Sequence, residues 1–525
     1  MHRTFLRFTS VVVASCAGVA VLTGADTRKP ATEWLACPDE AARVARVEAS
    51  LPPVTLPGQG PLQLSLQRWM ELYKLPGLSV AVFEKNALVW AKTYGVKQAG
   101  GSEPVAIDTL FQAASISKPV TALAALRYAE QGKWSLDANI NDKLVSWKVP
   151  DNAHTQEQKV TLRRVLSHSA GLTVHGFPGY TVNAPRPTLP QILDGVKPAN
   201  TEPVRVDLVP GSETRYSGGG FTAVQLMMED QLKKPFPQLI HDAVFAPLGL
   251  KHSTFEQPLS SARTANAASG THASGKSIEG RWHVYPELAP AGLWSTPSDL
   301  ASMTMEVLKA RAGKSQRVVS QAMAKQMLTK QSDGFGLGFQ LEEGSDRFGH
   351  GGYNEGFTST LIAFADSGSG VVMMANGDNG PFLFERLAAS IAAEYGWKSF
   401  THRLESPLMT VDLLVRLKGA DAALSFVKAM KQKAPAGRGL PPQLLNQVAY
   451  GQLLAGNFPD AVKLLKANVE FFPEDSNTHD SLGEAYMKSG RKEEAIASYR
   501  QSLKLDPKNA NAVEMLKKLG AKEQR

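Results

Sequence analysis

Cysteine is almost missing from this chain: Cys16 and Cys37 are the only two among 525 residues. A disulfide scaffold is therefore excluded, and the fold must rest on packed cores. No Gly-x-Ser-x-Gly stretch occurs, which removes the serine elbow of the α/β-hydrolases. The 11 histidines include no His-Glu-x-x-His or similar ligand spacing, so no metal centre and no cofactor are expected. Dense runs of lysine and arginine are missing too. A formal net charge of +8 is mild for this length and implies no nucleic-acid partner.

Long apolar runs are also scarce. The stretch from Val11 to Leu22 is too short to span a bilayer, so no transmembrane span is expected in the mature chain. With Arg3 and Arg7 before it and Gly24 and Ala25 after it, residues 1–25 read as an export signal. A periplasmic or secreted protein is expected; the alternative takes Val13-Ala14-Ser15-Cys16 as a lipoprotein box with Cys16 as anchor. Residues 26–60 read as a tether with a short helix around residues 40–49, and the length calls for two or more folded domains.

The richest local signal is Ser115-Ile116-Ser117-Lys118, at the start of a helical pattern through Ala122, Leu126 and Tyr128. A lysine three residues after a serine shares its helix face, so the amine can reach the hydroxyl. Buried and uncharged, such a lysine is a base beside a nucleophile. The same tetrapeptide spacing at Ser425 and Ser489 lacks suitable company and reads as chance. Ser115 has that company in two places. Tyr216 lies in Arg215-Tyr216-Ser217-Gly218-Gly219-Gly220, on a glycine-rich bend at a helix start, where a phenol can relay a proton. His350-Gly351-Gly352-Tyr353 precedes two buried strands, 357–364 and 370–375, joined by a turn at 366–369.

These three motifs, in this order, resemble the serine β-lactamase and penicillin-binding-protein superfamily, in its branch of class C β-lactamases, D,D-peptidases and related esterases. The resemblance spans roughly residues 60–395 and implies a role for each residue. Ser115 is the acylated nucleophile, Lys118 its base and Tyr216 the proton shuttle to the leaving group. His350, Gly351, Gly352 and Tyr353 line the substrate site, with the backbone amides of Ser115 and Tyr353 forming the oxyanion hole. Two departures matter. Gly218 stands where β-lactamases and D,D-peptidases carry an asparagine that holds the substrate amide, and His350 replaces a lysine that attracts a substrate carboxylate. Both favour esters or peptides over penicillins. The segments 165–172 and 290–300 also resemble the family; they read as structural, with Ser298 as a helix cap and His168 as a scaffold residue.

The last quarter follows another rule. Val448, Ala449, Gly456, Ala461, Leu465 and Pro473 recur 34 residues later as Leu482, Gly483, Gly490, Ala495, Tyr499 and Pro507. That is the tetratricopeptide period, whose helical hairpins usually present a protein-binding groove. A further hairpin is expected over 411–431 and a capping helix over 510–519.

The expectation is thus an α/β (α+β) β-lactamase-like domain over 61–400, with an antiparallel sheet flanked by helices plus a helical lobe, and an all-α repeat domain over 405–525. Its expected activity is acyl-enzyme cleavage of small esters, β-lactams or D-amino-acid peptides. The alternatives are a D,D-peptidase or D-aminopeptidase acting on cell-wall-type peptides, or a weakly catalytic sensor docking a protein partner through its repeats.

Overall fold

The computed structural model describes residues 20–24, 32–36, 40–56, 60–401, 406–433 and 441–521. Most of the export signal, Cys16, Cys37 and residues 434–440 lie outside the described residues.

An eight-stranded antiparallel sheet organises the first domain. Its strands in chain order are β1 (Ala20–Gly24), β2 (Thr32–Ala36), β3 (Gly77–Glu84), β4 (Ala87–Gly95), β5 (Gln340–Leu341), β6 (Arg347–Asn354), β7 (Phe357–Phe364) and β8 (Ser369–Ala375). They lie side by side as β1-β2-β4-β3-β8-β7-β6-β5. The central strands read as unbroken apolar runs because both faces are covered. The pleat sends Leu78, Val80, Val82, Val371 and Met373 into one core and Ala81, Phe83, Val372 and Met374 into the other.

Helices supply both covers. On one face lie α1 (Ala41–Ala49) and, after β8, the long C-terminal helix of the domain, Gly380–Tyr395. On the other, α2 (Ser117–Glu130), α3 (Gly218–Leu232) and α4 (Pro297–Arg311) share a core that extends into the helical lobe. The domain begins earlier than expected: Val44, Val47, Leu51, Val54 and Leu56 are buried in the outer core, so residues 40–56 belong to the fold and not to a tether. Apolar spacing at Val44 and Val47 on one helix face carries that burial.

Beyond residue 406 the chain is helical throughout its described part. The hairpin α5 (Pro407–Lys418) and α6 (Ala420–Lys433) precedes the pairs α7 (Gln443–Leu454) with α8 (Phe458–Phe471) and α9 (Ser476–Lys488) with α10 (Lys492–Leu505), then α11 (Ala510–Lys518). The 34-residue period has a physical reading. Gly456 and Gly490 both adopt left-handed backbone (φ +74° and +77°) at the interhelix turn. Ala449 and Gly483 sit where helices touch; a Cβ on Gly483 would stand 3.0 Å from the Tyr499 ring.

The helical region is joined to the first domain through α5. Val411, Leu413, Leu414 and Val415 are buried there, in the core that also holds Leu383 and Leu387. Asp412 accepts from Tyr73 Oη (3.1 Å) and from Arg416 Nε (2.8 Å), with both charged side chains under 10% exposed. Arg416 also lies 4.5 Å from the Tyr73 ring centre. Asp412→Ala leaves a buried guanidinium without its carboxylate and is expected to cost about 3–5 kcal/mol of stability. Chemical and thermal melts check this against Asp421→Ala, whose ion pair with Lys463 is exposed and whose loss should leave the melting temperature unchanged.

Candidate active site

Ser115 stands in a single tight turn, Ala114–Ile116, that runs straight into α2. Ala114 carries φ +49°, a left-handed conformation that costs a residue with a Cβ about 1–2 kcal/mol. Three hydrogen bonds hold it. Ala113 N–H donates to Leu293 O (2.8 Å), Ser117 Oγ donates to Ala114 O (2.5 Å), and Leu293 N–H donates to Ser117 Oγ (3.0 Å). The second serine of the tetrapeptide is thus a brace for the first.

Lys118, one turn on, is buried to 2% exposure. Its Nζ donates to Ser115 Oγ (2.9 Å) and to Pro290 O (3.0 Å), and lies 4.8 Å from the Tyr216 ring centre. Burial alone pushes the amine down to about 7. Near neutral pH a large fraction is therefore the free base.

Tyr216 hydrogen-bonds to Ser115 as well, and burial raises its phenol well above the ordinary value. Two imidazoles lie against the ring. His168 stacks on it at 4.2 Å and His175 lies at 4.7 Å between ring centres. The next residue, Ser217, caps α3 by accepting from Gly220 N–H (3.0 Å), while its own N–H donates to His168 Nδ1 (3.0 Å). Burial, then Lys118, hold His168 uncharged.

Strand β6 forms the opposite wall. Past its short pairing with β5 at residues 348–349, it has a free edge among the described residues. Its pleat divides the third motif. His350 is buried with its ring 6.0 Å from that of Tyr216, and Gly352 packs against the turn that carries Ser115: a Cβ there would stand 2.4 Å from Ala113 O and 2.2 Å from Ser359 Oγ. Gly352 is needed so that β6 can reach Ser115. Gly351 and Tyr353 alternate to the other side. Gly351 lines a cavity of 590 Å³ with Pro381, Phe382 and Met409, and the Tyr353 phenol, 56% exposed, bonds to Asp378. These two can meet a substrate at the Ser115 edge only through their backbone.

His350 is electrically silent. Burial, then Lys118, push its imidazole down to about 3. Nδ1 faces Gly351 O at 2.6 Å and so carries the proton; Nε2 keeps a lone pair with no partner among the described residues.

Several site residues escape sequence reasoning. The Pro290 carbonyl holds Lys118 from 172 residues away, so the segment read as purely structural touches the Lys118 amine. Asn354 Nδ2 ties β6 to Gln112 Oε1 (2.7 Å) and Ala291 O (3.0 Å). Glu287, beside Tyr180 and Tyr285, is fully buried, which pushes its carboxyl up to about 8. Thr296, not Ser298, caps α4, because its Oγ1 is placed to accept from Asp299 N–H (3.3 Å). The His-Ser-Ala-Gly and Pro-Ala-Gly stretches were the available signals, but neither shows which atom faces the site.

Residues 65–395 match the family model described as Beta-lactamase. The chain belongs to that family. Residues 476–509 match the tetratricopeptide repeat model. Among relatives, the beta-lactamase-family chain is 26% identical over 341 residues to penicillin-binding protein 4 of Amycolatopsis lactamdurans, covering 61% of this chain and 86% of that one. It is 24% identical over 237 residues to protein flp of Staphylococcus aureus (strain MW2), covering 45% and 44%; the chain thus spans less than half the length of that relative. The octameric penicillin-binding protein homologue from Pyrococcus abyssi superimposes with a TM-score of 0.50 at 19% identity, covering 67% of this chain and 80% of that one. SurE does so at 0.50 and 21%, covering 65% and 77%. These two likenesses concern the fold.

The geometry around Lys118 sets a pH dependence. Its free-base form increases as pH rises through about 7, so covalent labelling of Ser115 by a fluorophosphonate should accelerate along a limb centred there. Lys118→Ala should slow labelling by about 10²–10⁴-fold and erase the limb. A flat wild-type profile between about pH 5 and about pH 9 would exclude Lys118 as the base.

Proposed function

We propose that this protein is an exported serine hydrolase that forms an acyl-enzyme on Ser115 and prefers small esters to β-lactams. The observation that carries the reading is the buried amine of Lys118, 2.9 Å from Ser115 Oγ, with Tyr216 bonded to the same hydroxyl. In acylation the Lys118 amine takes the Ser115 proton while Oγ bonds to the substrate carbonyl carbon. The carbonyl electron pair moves to oxygen, facing the backbone amides of Ser115 and Tyr353. Collapse expels the alcohol or amine, which takes a proton from Tyr216; the Lys118 ammonium returns one to the phenol. Water then repeats the sequence on the acyl carbonyl and releases Ser115.

Substrate preference follows from two absences of charge and amide. Gly218 offers no side-chain amide, and the neutral His350 offers an acceptor lone pair in place of a cation. A substrate carboxylate gains nothing there, while a hydroxyl or amide N–H does. A peptide bearing D-amino acids is the second reading, favoured by the free edge of β6 beyond residue 349, along which a peptide backbone can add as a strand.

Ser115→Ala should abolish p-nitrophenyl acetate turnover and leave the melting temperature unchanged. In the wild type, kcat/KM for that ester should exceed kcat/KM for nitrocefin; the reverse order would overturn the preference. Release of D-alanine from a D-alanyl-D-alanine peptide faster than ester cleavage would establish the second reading.

A further inference from the structure

We propose that His272, Glu355 and Asp378 form a binding site for a divalent transition metal, with Zn²⁺ as the best-matched ion. The three come from separate stretches of chain: the loop at 271–277, the turn between β6 and β7, and the segment after β8. Their ligand atoms all lie within 4.8 Å of one another. His272 Nδ1 is 2.9 Å from Glu355 Oε1 and 4.0 Å from Asp378 Oδ2. Tetrahedral Zn²⁺ with bonds of about 2.0–2.1 Å spaces its ligands by about 3.3 Å, between those two distances.

The cluster differs from a chance gathering of surface acids in how it is held. Asp378 is only 10% exposed at its side chain, and each of its oxygens is fixed by a backbone amide: Gly356 N–H donates to Oδ1 (2.7 Å) and Ala273 N–H to Oδ2 (3.0 Å). The Tyr353 phenol bonds to the same carboxylate, which leaves one lone pair for a metal. Such outer partners orient ligating carboxylates in metal sites. The fold thereby places two carboxylates side by side with one imidazole. Glu355 and His272 remain 32% and 40% exposed at their side chains, which leaves an entry path and room for a water as the remaining ligand. One nitrogen and two carboxylates, one of them half open to solvent, suit Zn²⁺, Co²⁺ or Ni²⁺ more than Mg²⁺ or Ca²⁺.

The position gives the metal a mechanical consequence. Glu355 directly follows Asn354, the last residue of β6, and its N–H donates to Tyr285 Oη (3.0 Å). Asp378 bonds to the Tyr353 phenol. A bound ion would therefore tie the end of the strand that walls the Ser115 site to the 271–277 loop and to the segment after β8.

Isothermal titration of untagged full-length protein with ZnCl₂, paired with thermal melts, tests the site. The expected result is one equivalent bound and a raised melting temperature. His272→Ala and Glu355→Gln should each weaken binding by about tenfold or more, while His241→Ala, at an exposed His–Asp pair elsewhere, leaves it unchanged. Glu355 is exposed enough that its variant folds even where the histidine variant does not. Co²⁺ should give visible d–d bands in the wild type that both cluster variants lose. Equal affinity and stoichiometry in wild type and Glu355→Gln, or no binding by the wild type, would overturn the proposal.

Discussion

An amine with no counter-ion among the described residues, sunk between a helix and a loop, is the constraint on which the candidate active site rests. Burial is what lowers Lys118, and its two partners, Ser115 Oγ and Pro290 O, accept hydrogen bonds without bringing a charge that would restore the ammonium. A carboxylate in the place of the Pro290 carbonyl would stabilise the charged form of the amine. The same need for a dry, uncharged surrounding explains why the neighbouring imidazoles are neutral. His168 and His350 are both pushed down by burial first and by Lys118 second, so none of these groups supplies a charge that offsets another.

Bringing Ser115 to that amine requires backbone that ordinary sequence preferences oppose. Ala114 occupies left-handed space, and the turn holds because Leu293 grips it through the Ala113 amide and the Ser117 hydroxyl. On the far side, β6 approaches so closely that Gly352 admits no Cβ. The strain is local; the contacts that offset it come from residues far along the chain.

That division explains what could be read from residues alone. Ser115 with Lys118, the glycine-flanked Tyr216, the central strands and the 34-residue period are features of neighbouring residues, and spacing on a helix or strand reveals them. The family resemblance joined the three motifs into one site. What stayed hidden is non-local. No periodicity distinguishes Pro290 O from any other carbonyl, and none tells that Gly352 faces the turn of Ser115 while Gly351 faces Pro381 and Phe382. The residues 40–56 misled for a related reason: a proline- and alanine-rich stretch resembles a tether until the sheet it covers is known.

Lys118 and Glu287 also bind the chemistry of the site to the stability of the fold, with opposite signs. The Lys118 amine falls from 10.5 to about 7 on folding, so between those values the folded chain holds fewer protons than the unfolded one and stability rises with pH. The Glu287 carboxyl rises from 4.5 to about 8, so the folded chain holds more protons across that window and stability falls as pH rises through it. Acid therefore charges the buried amine, and alkali the buried carboxyl. Only in the narrow interval between about 7 and about 8 are both largely uncharged, and there the base of the proposed acylation is also in its reactive form. In that interval both groups must surrender the charge they carry in the unfolded chain, so the pH at which the site is ready to react is the pH at which burying the pair costs the fold most.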